Sequence, residues 1–150
     1  MKYKIIDENM TEEMFTPAYE SDAGVDLRAS LKENICINPS KSNADAVMIP
    51  TGIVAAVPEG YVMLLIPKSG LSTKKGMVLA NTVGVIDSGY RGEIQVPLLN
   101  NGNTFVVIEP LDKLCQMVLV PHYDMTQMEA VEDLSETERG EGGFGSSDPE

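Results

Sequence analysis

An all-β fold of the jelly-roll kind, a β-barrel or sandwich with one short helix and a flexible C-terminal tail, is the fold class this sequence predicts. Three observations predict it. Short apolar segments recur along the chain, with proline- and glycine-containing turn signals between them. No long segment carries a 3.6-residue apolar period. From about Glu132 the chain is acidic, glycine-rich and short of core-forming side chains. The expected organisation is one β-domain over 1–131, followed by a flexible arm over 132–150.

The elements follow in order. Strands are expected over 3–6, 25–29, 35–37, 47–49, 53–57 and 62–66. More are expected over 78–80, 94–98, 105–108, 114–120 and 125–131. Pro39, Pro50, the PEG at 58–60, the NNG at 100–102 and Pro121 punctuate them. The one helical candidate is SGLSTKK at 69–75, closed by Gly76. Pro97 lies inside a strand-like run, EIQVPLL. Proline cannot donate to a ladder, so an edge or bulge is expected there. Many short strands with such turns suit a sandwich, jelly roll or barrel.

Composition narrows the function classes. The 150 residues are enough for one domain with a core that needs no disulfide staples. Cys36 and Cys115 are far apart, each in an apolar run, and both are expected in the core. With His122 as the sole histidine and only two distant cysteines, the sequence argues against a structural zinc site of four nitrogen and sulfur ligands. The N-terminal MKYKIIDENMTEEM lacks the pattern of a secretory signal, and no apolar run reaches membrane-spanning length. The chain is therefore expected to be soluble and cytoplasmic, with no membrane partner. Its formal net charge of −12 argues against a nucleic acid polymer as partner. A small triphosphate remains open, because a metal and a few local cations can reverse the field at one site.

Five segments are polar or glycine-rich where a strand would not need it. In AGVDLRA (23–29), Asp26 faces away from Val25 and Leu27. It is either a plain outward acid or a carboxylate suited to Mg²⁺ or its bound waters. PKSGLS (67–72) ends a strand and opens the short helix, so Ser69 is either a helix cap or, with Lys68 and Gly70, part of an anion site. In NTVGVIDSGYRGE (81–93), Asp87 follows the apolar Val85 and Ile86. It is expected to be partly desolvated, as a general base should be, unless the segment is only a hairpin turn. Gln116 is a long amide in the apolar strand DKLCQMV (112–118) and needs a partner. RGEGGFGSS (139–147) sets Arg139 and Phe144 in a glycine frame that suits phosphate and an aromatic ligand, or else is a solvated end.

In this order, from Ala23 to Ser147, the five segments resemble the trimeric dUTPase family, with GVIDSGYRGE and RGEGGFGSS the most specific pieces. The resemblance implies a homotrimer of jelly-roll subunits with sites shared between chains, and Mg²⁺-dependent hydrolysis of dUTP to dUMP and pyrophosphate. It implies that Asp26 holds waters of the Mg²⁺, and that Ser69 and Gln116 contact phosphate oxygens near the α-phosphorus, beside Lys68 and Gly70. Asn81 and the backbone of Val83, Gly84, Val85 and Ile86 would read uracil. Asp87 would orient and deprotonate the attacking water, and Tyr90 would pack on the deoxyribose. Arg139, Gly145, Ser146 and Ser147 would close over the outer phosphates, with Phe144 on the base. A fixed hairpin matching uracil's acceptor–donor–acceptor edge would reject cytosine by roughly 10⁴–10⁵.

Three positions depart from the family pattern. Gly89 stands where many members have a second aspartate. Lys68 and Lys113 stand where arginine is common, and lysine keeps the charge but not the planar fork. The nearest alternative is dCTP deaminase, which shares the fold. Its catalytic glutamate would fall at Pro97, which cannot transfer a proton. A regulatory role in docking another protein is compatible with the same motifs. A purely structural jelly-roll protein gives no reason for Asp87, Tyr90 and the 139–147 segment to coexist.

Overall fold

A computed structural model describes residues 1–143. Ten strands and one α-helix, beside three short 3-10 helices, make up the described elements: β1 (Lys2–Ile5), β2 (Gly24–Arg28), β3 (Ile35–Ile37), β4 (Val47–Ala56), β5 (Tyr61–Pro67), α1 (Ser69–Lys75), β6 (Met77–Leu79), β7 (Gly84–Ile86), β8 (Glu93–Asn100), β9 (Val106–Ile108) and β10 (Lys113–Pro121). One four-stranded sheet has the order β1-β4-β8-β6, a second has β2-β10-β5-β7, and β3 pairs with β9. All pairings are antiparallel. Successive strands mostly alternate between sheets, which is the jelly-roll-like architecture the turn-punctuated pattern predicts. No helix among the described residues is long and apolar enough to cross a membrane.

Period-two alternation decides which face each strand buries. In β5, Met63 and Leu65 point inward while Val62, Leu64 and Ile66 are only half-buried. In β8, Ile94, Val96 and Leu98 point inward. The inward sets of the two four-stranded sheets meet in one core with Leu27, Ile49, Ile53, Cys115 and Met117. Asn100 is buried but satisfied. Its amide nitrogen donates to Ile37 O (2.9 Å) and Thr104 O (2.8 Å), and its Oδ1 accepts from Gly102 N (3.0 Å).

The structure differs from expectation in four places. The segments 47–49 and 53–57 form one strand, β4, because a bulge absorbs the interruption. Its register with β8 slips between Pro50 and Val54, and Gly52 turns left-handed there (φ 66°). Side-chain bonds replace the lost ladder bonds: Thr51 Oγ1 donates to Ile94 O (2.7 Å) and Gly52 N donates to Glu93 Oε1 (2.8 Å). Pro97 sits in an interior strand rather than at an edge. Its carbonyl accepts from Ala80 N (2.9 Å), so its ring nitrogen faces the point where β6 has ended, and no ladder donor is lost. Residues 125–131 are not a strand. Asp124 caps a short 3-10 helix at Met125–Gln127, and Tyr123, Met125, Met128, Val131 and Leu134 are all exposed. Among the described residues their apolar pattern has nothing to lie against. Cys115 is buried as expected, whereas Cys36 is exposed on β3, whose alternation sends Ile37 inward instead.

Candidate active site

Cross-strand register assembles the first group. Asp26 on β2 faces Gln116 on β10, and Gln116 faces Ile66 on β5. Directly opposed residues share a face, so Asp26 and Gln116 stand side by side on the outer face of the second sheet. Two residues past Ile66, Lys68 occupies the cap position of α1 with no side-chain cap bond, and Ser69 is the first helical residue. The cap reading of Ser69 is thereby replaced: its exposed hydroxyl lies at the helix start, beside Lys68 and exposed Gly70. Gly76 closes the helix left-handed (φ 71°), as the sequence predicts.

The lysines converge on one carboxylate. Lys68 Nζ lies 2.8 Å from Asp26 Oδ1, and Lys113 Nζ lies 2.7 Å from Oδ2. Burial of Asp26 works to raise its pKa, but the Lys113 and Lys68 ammonium groups outweigh it and hold the carboxyl below its ordinary value. Its neighbour Cys115 feels the same burial first, and then the Asp26 charge, which together push the thiol up to about 12. That thiol is inert at neutral pH. Next to the triad is a cavity of about 370 Å³ lined by Arg28, Lys68, Gly70, Lys75, Asp112 and Lys113 among others. Arg28 Nη1 donates to Leu111 O (2.9 Å), while its buried Nε has no partner. Asp112 turns its carboxylate onto Glu109 N (3.0 Å). Four cations around one hollow, on a chain of net charge −12, make a locally anion-attracting site.

The triad has a consequence for acid stability. Because the folded Asp26 binds its proton less readily than an unfolded one, the contact adds stability above the ordinary value of 3.8 and loses it as pH falls through the lower folded value. Denaturant midpoints measured from about pH 5 to pH 2 should therefore fall less steeply in Asp26→Asn than in the parent protein. Parallel acid limbs would show that the triad adds nothing.

The second group lies on β7 and the loop after it. Gly84 is buried against Leu65: a Cβ there would come within 3.0–3.1 Å of the leucine side chain, so glycine lets β7 lie flat on β5. Thr82 is left-handed (φ 65°), Val83 N donates to Asn81 O (2.7 Å), and Asn81, Val83 and Val85 are exposed. Ile86 is half-buried, and Asp87 follows it. Alternation puts Asp87 on the outward side with Val85, so in the single chain it is exposed rather than desolvated. Tyr90 N donates to Asp87 O (3.1 Å), and Arg91 Nη1 donates to both Ser88 O and Tyr90 O (2.6 Å each). The Tyr90 hydroxyl donates to Glu93 O (2.9 Å).

One chain does not bring the two groups together. Ile86 pairs with Met63, so Asp87 lies beside the Val62 end of β5, while Ser69 lies beyond Pro67 at the other end. The run of strand from Val62 to Pro67 spans about 17 Å at the usual rise. Arg139 is exposed, and its Nε donates to Gly142 O (2.9 Å). Phe144, Gly145, Ser146 and Ser147 lie outside the described residues.

Comparison with known proteins decides the family. The dUTPase family model matches residues 11–148. The chain belongs to the dUTPase family. Curated relatives carrying the name deoxyuridine 5'-triphosphate nucleotidohydrolase include those of Finegoldia magna, 42% identical over 97% of both chains, and Burkholderia ambifaria, 41% identical over 96% of this chain and 95% of the relative. Among solved structures, a Staphylococcus bacteriophage 80alpha dUTPase with dUpNHpp superposes with a TM-score of 0.84 at 28% identity, covering 97% of this chain and 96% of the other. A mutant dUTPase from phage phi11 of S. aureus, described with a structural Mg(II) ion, gives 0.75 at 26% identity over 88% and 96%. As a dUTPase the chain is a hydrolase of nucleotide metabolism.

Sequence reasoning misses the part that several residues play at this candidate site. Arg28 and Lys75 line the cation cavity, and Lys113 shares Asp26 with Lys68. The signal for Lys113 is its register: three residues before Gln116, on the strand that faces Asp26. Arg91 and Glu93 brace the Asp87–Tyr90 turn, and nothing in their spacing marks that role.

Proposed function

We propose that this dUTPase cleaves dUTP to dUMP and pyrophosphate by in-line attack of water at the α-phosphorus, in a homotrimer whose sites draw on several chains, in the cytoplasm. The observation that carries the reading is the cation-lined cavity beside Asp26 and Gln116. In a strongly acidic protein it is where a triphosphate gains most from charge. Lys68, Lys113 and Arg28 offer cations to phosphate oxygens, and the Ser69 hydroxyl and Gln116 amide offer neutral donors. Asn81 and the Val83–Ile86 backbone read the uracil edge, and Tyr90 packs on the deoxyribose.

Attack needs alignment and charge neutralisation more than covalent chemistry. Asp87 orients a water and takes its proton as the new P–O bond forms. The bond from the α-phosphorus to the bridging oxygen breaks, and pyrophosphate leaves.

Mg²⁺ fits Asp26 in one way only. Among the described residues no three acids, histidines or cysteines converge to hold a metal directly. Asp26 is ionised, and two of its roughly four lone-pair positions are taken by lysines, leaving room for metal-bound water. Bound with the nucleotide, Mg²⁺ would neutralise and chelate the phosphate oxygens.

Shared sites are supported by the separation of about 17 Å along β5, since Asp87 and Ser69 must meet at one phosphorus. The exposed apolar side chains from Tyr123 to Leu134 are surface that a neighbouring copy would cover. The arm over 132–150 then supplies Arg139, Phe144, Gly145, Ser146 and Ser147 as a lid.

Pyrophosphate release from dUTP, dCTP, dTTP and UTP, with and without Mg²⁺, tests the reading. Release from dUTP alone, and only with the metal, is the expected pattern. Comparable release from dCTP, or full activity in excess chelator, would overturn it.

A further inference from the structure

We propose that Gly92 and Glu93 are positioning residues for Tyr90, and that through Glu93 the β4 bulge at Gly52 sets how strictly the enzyme separates deoxyribose from ribose. The inference rests on the reading above that Tyr90 packs on the sugar.

Tyr90 stands in an open loop and is 44% exposed. A tyrosine so exposed is free to change rotamer, and a ring that swings away would admit a 2′-hydroxyl. Two contacts prevent the swing. First, the ring lies on the backbone of Gly92. A Cβ at Gly92 would sit 2.6 Å from Tyr90 Cζ, closer than real Cβ atoms come, and a tight 3.1 Å from Cε2. Gly92 is not among the left-handed glycines of this chain. A left-handed backbone is therefore not the reason for glycine here; a Cβ would instead push the ring out of this position. Second, the hydroxyl donates to Glu93 O at 2.9 Å.

Glu93 is itself held. Its Oε1 accepts from Gly52 N at 2.8 Å across the first sheet, and its residue opposes Val54 on β4. Gly52 cannot yield easily. It is left-handed, a Cβ there would lie 2.8 Å from Asp7 Cβ, and its carbonyl accepts from Ile6 N at 2.8 Å. Next along β8, Ile94 O takes the Thr51 hydroxyl at 2.7 Å. The sugar-facing tyrosine is thus tied through one glutamate to a bulge built into the core sheet. A charged acceptor on a backbone N–H is among the stronger single contacts available. It locks both the side chain and the carbonyl on which the hydroxyl rests.

The readout is the ratio of kcat/KM for dUTP to that for UTP, measured on one preparation of each variant. That ratio does not depend on how much of the protein is folded. Displacing a substrate-facing group by about 1 Å costs up to 10²-fold. Glu93→Ala and Gly92→Ala should accordingly lower the ratio by about tenfold or more. Glu93→Gln should keep it, because the amide oxygen still accepts from Gly52 N. Tyr90→Leu is the reference and should lower it at least as far. If Tyr90→Leu lowers the ratio while Glu93→Ala and Gly92→Ala leave it within about twofold of the parent, the proposal is overturned and the sugar-packing reading stands. A Gln variant as impaired as the Ala variant would also overturn it, since the Gly52 contact would not be what matters. An unchanged ratio in Tyr90→Leu would overturn both, by removing the tyrosine from the sugar.

Discussion

Asp87→Asn should bind nucleotide normally and turn it over about 10²–10⁴-fold more slowly than the parent protein, the usual contribution of a positioned base. That loss is about 3–5.5 kcal/mol of barrier. The substitution is nearly isosteric, and Asp87 is exposed with no side-chain hydrogen bond to lose in the described chain, so stability should hardly change. The backbone contacts that shape its loop, Tyr90 N to Asp87 O and Arg91 to Ser88 O and Tyr90 O, do not involve the carboxylate. The effect should therefore fall on kcat, with KM little altered. Single-turnover measurements with saturating enzyme would separate the chemical step from product release. Near-normal single-turnover rates would take Asp87 out of the proton transfer and leave the base unassigned.

What can be read from the sequence, and what cannot, divides along physical lines. β5 and β10 are legible because period-two alternation over many residues fixes a face, and the helix is legible because Gly76 ends it in a left-handed cap. β4 reads as two strands because Pro50 is a turn signal. The bulge that carries the chain past it depends on Thr51 and Gly52 bonding to residues far along the chain, Ile94 and Glu93. The 125–131 segment fails for the opposite reason: its apolar pattern is real, but the described residues offer no surface for it. The neighbourhood of Asp26, Lys68 and Gln116 follows from strand register, which alternation only hints at. The outward turn of Asp87 escapes the sequence because two apolar neighbours imply burial only when both face inward, and Val85 does not. Gly92 and Glu93 fall inside GVIDSGYRGE, but their positioning role is unreadable there: it lies in what a ring and a distant amide do to them.

Two impaired proteins should make an active one. If each site takes Asp87 from one chain and Ser69 from another, Asp87→Asn and Ser69→Ala subunits will each be impaired alone and will complement when mixed. Ser69→Ala removes one hydrogen bond to a charged group, worth about 1.5–3 kcal/mol, or roughly 10- to 100-fold. In trimers assembled at random from equal amounts, about a quarter of sites draw both groups from intact donors, given closed cyclic symmetry. Activity after joint refolding should thus rise well above the sum of the separate proteins. Subunits ending at residue 138 extend the test. They lack the proposed lid, should retain their melting temperature because none of the residues 139–143 lies in the core, and should complement either point variant if the lid comes from a further chain. The basis is geometric. About 17 Å of β5 lies between the Asp87 end and the Ser69 end, and no side-chain rotation closes that gap. Mixtures no more active than their parts, or a monomer by light scattering that hydrolyses dUTP at full rate, would require Asp87 and Ser69 to meet within a single chain, against the register of β5 and β7.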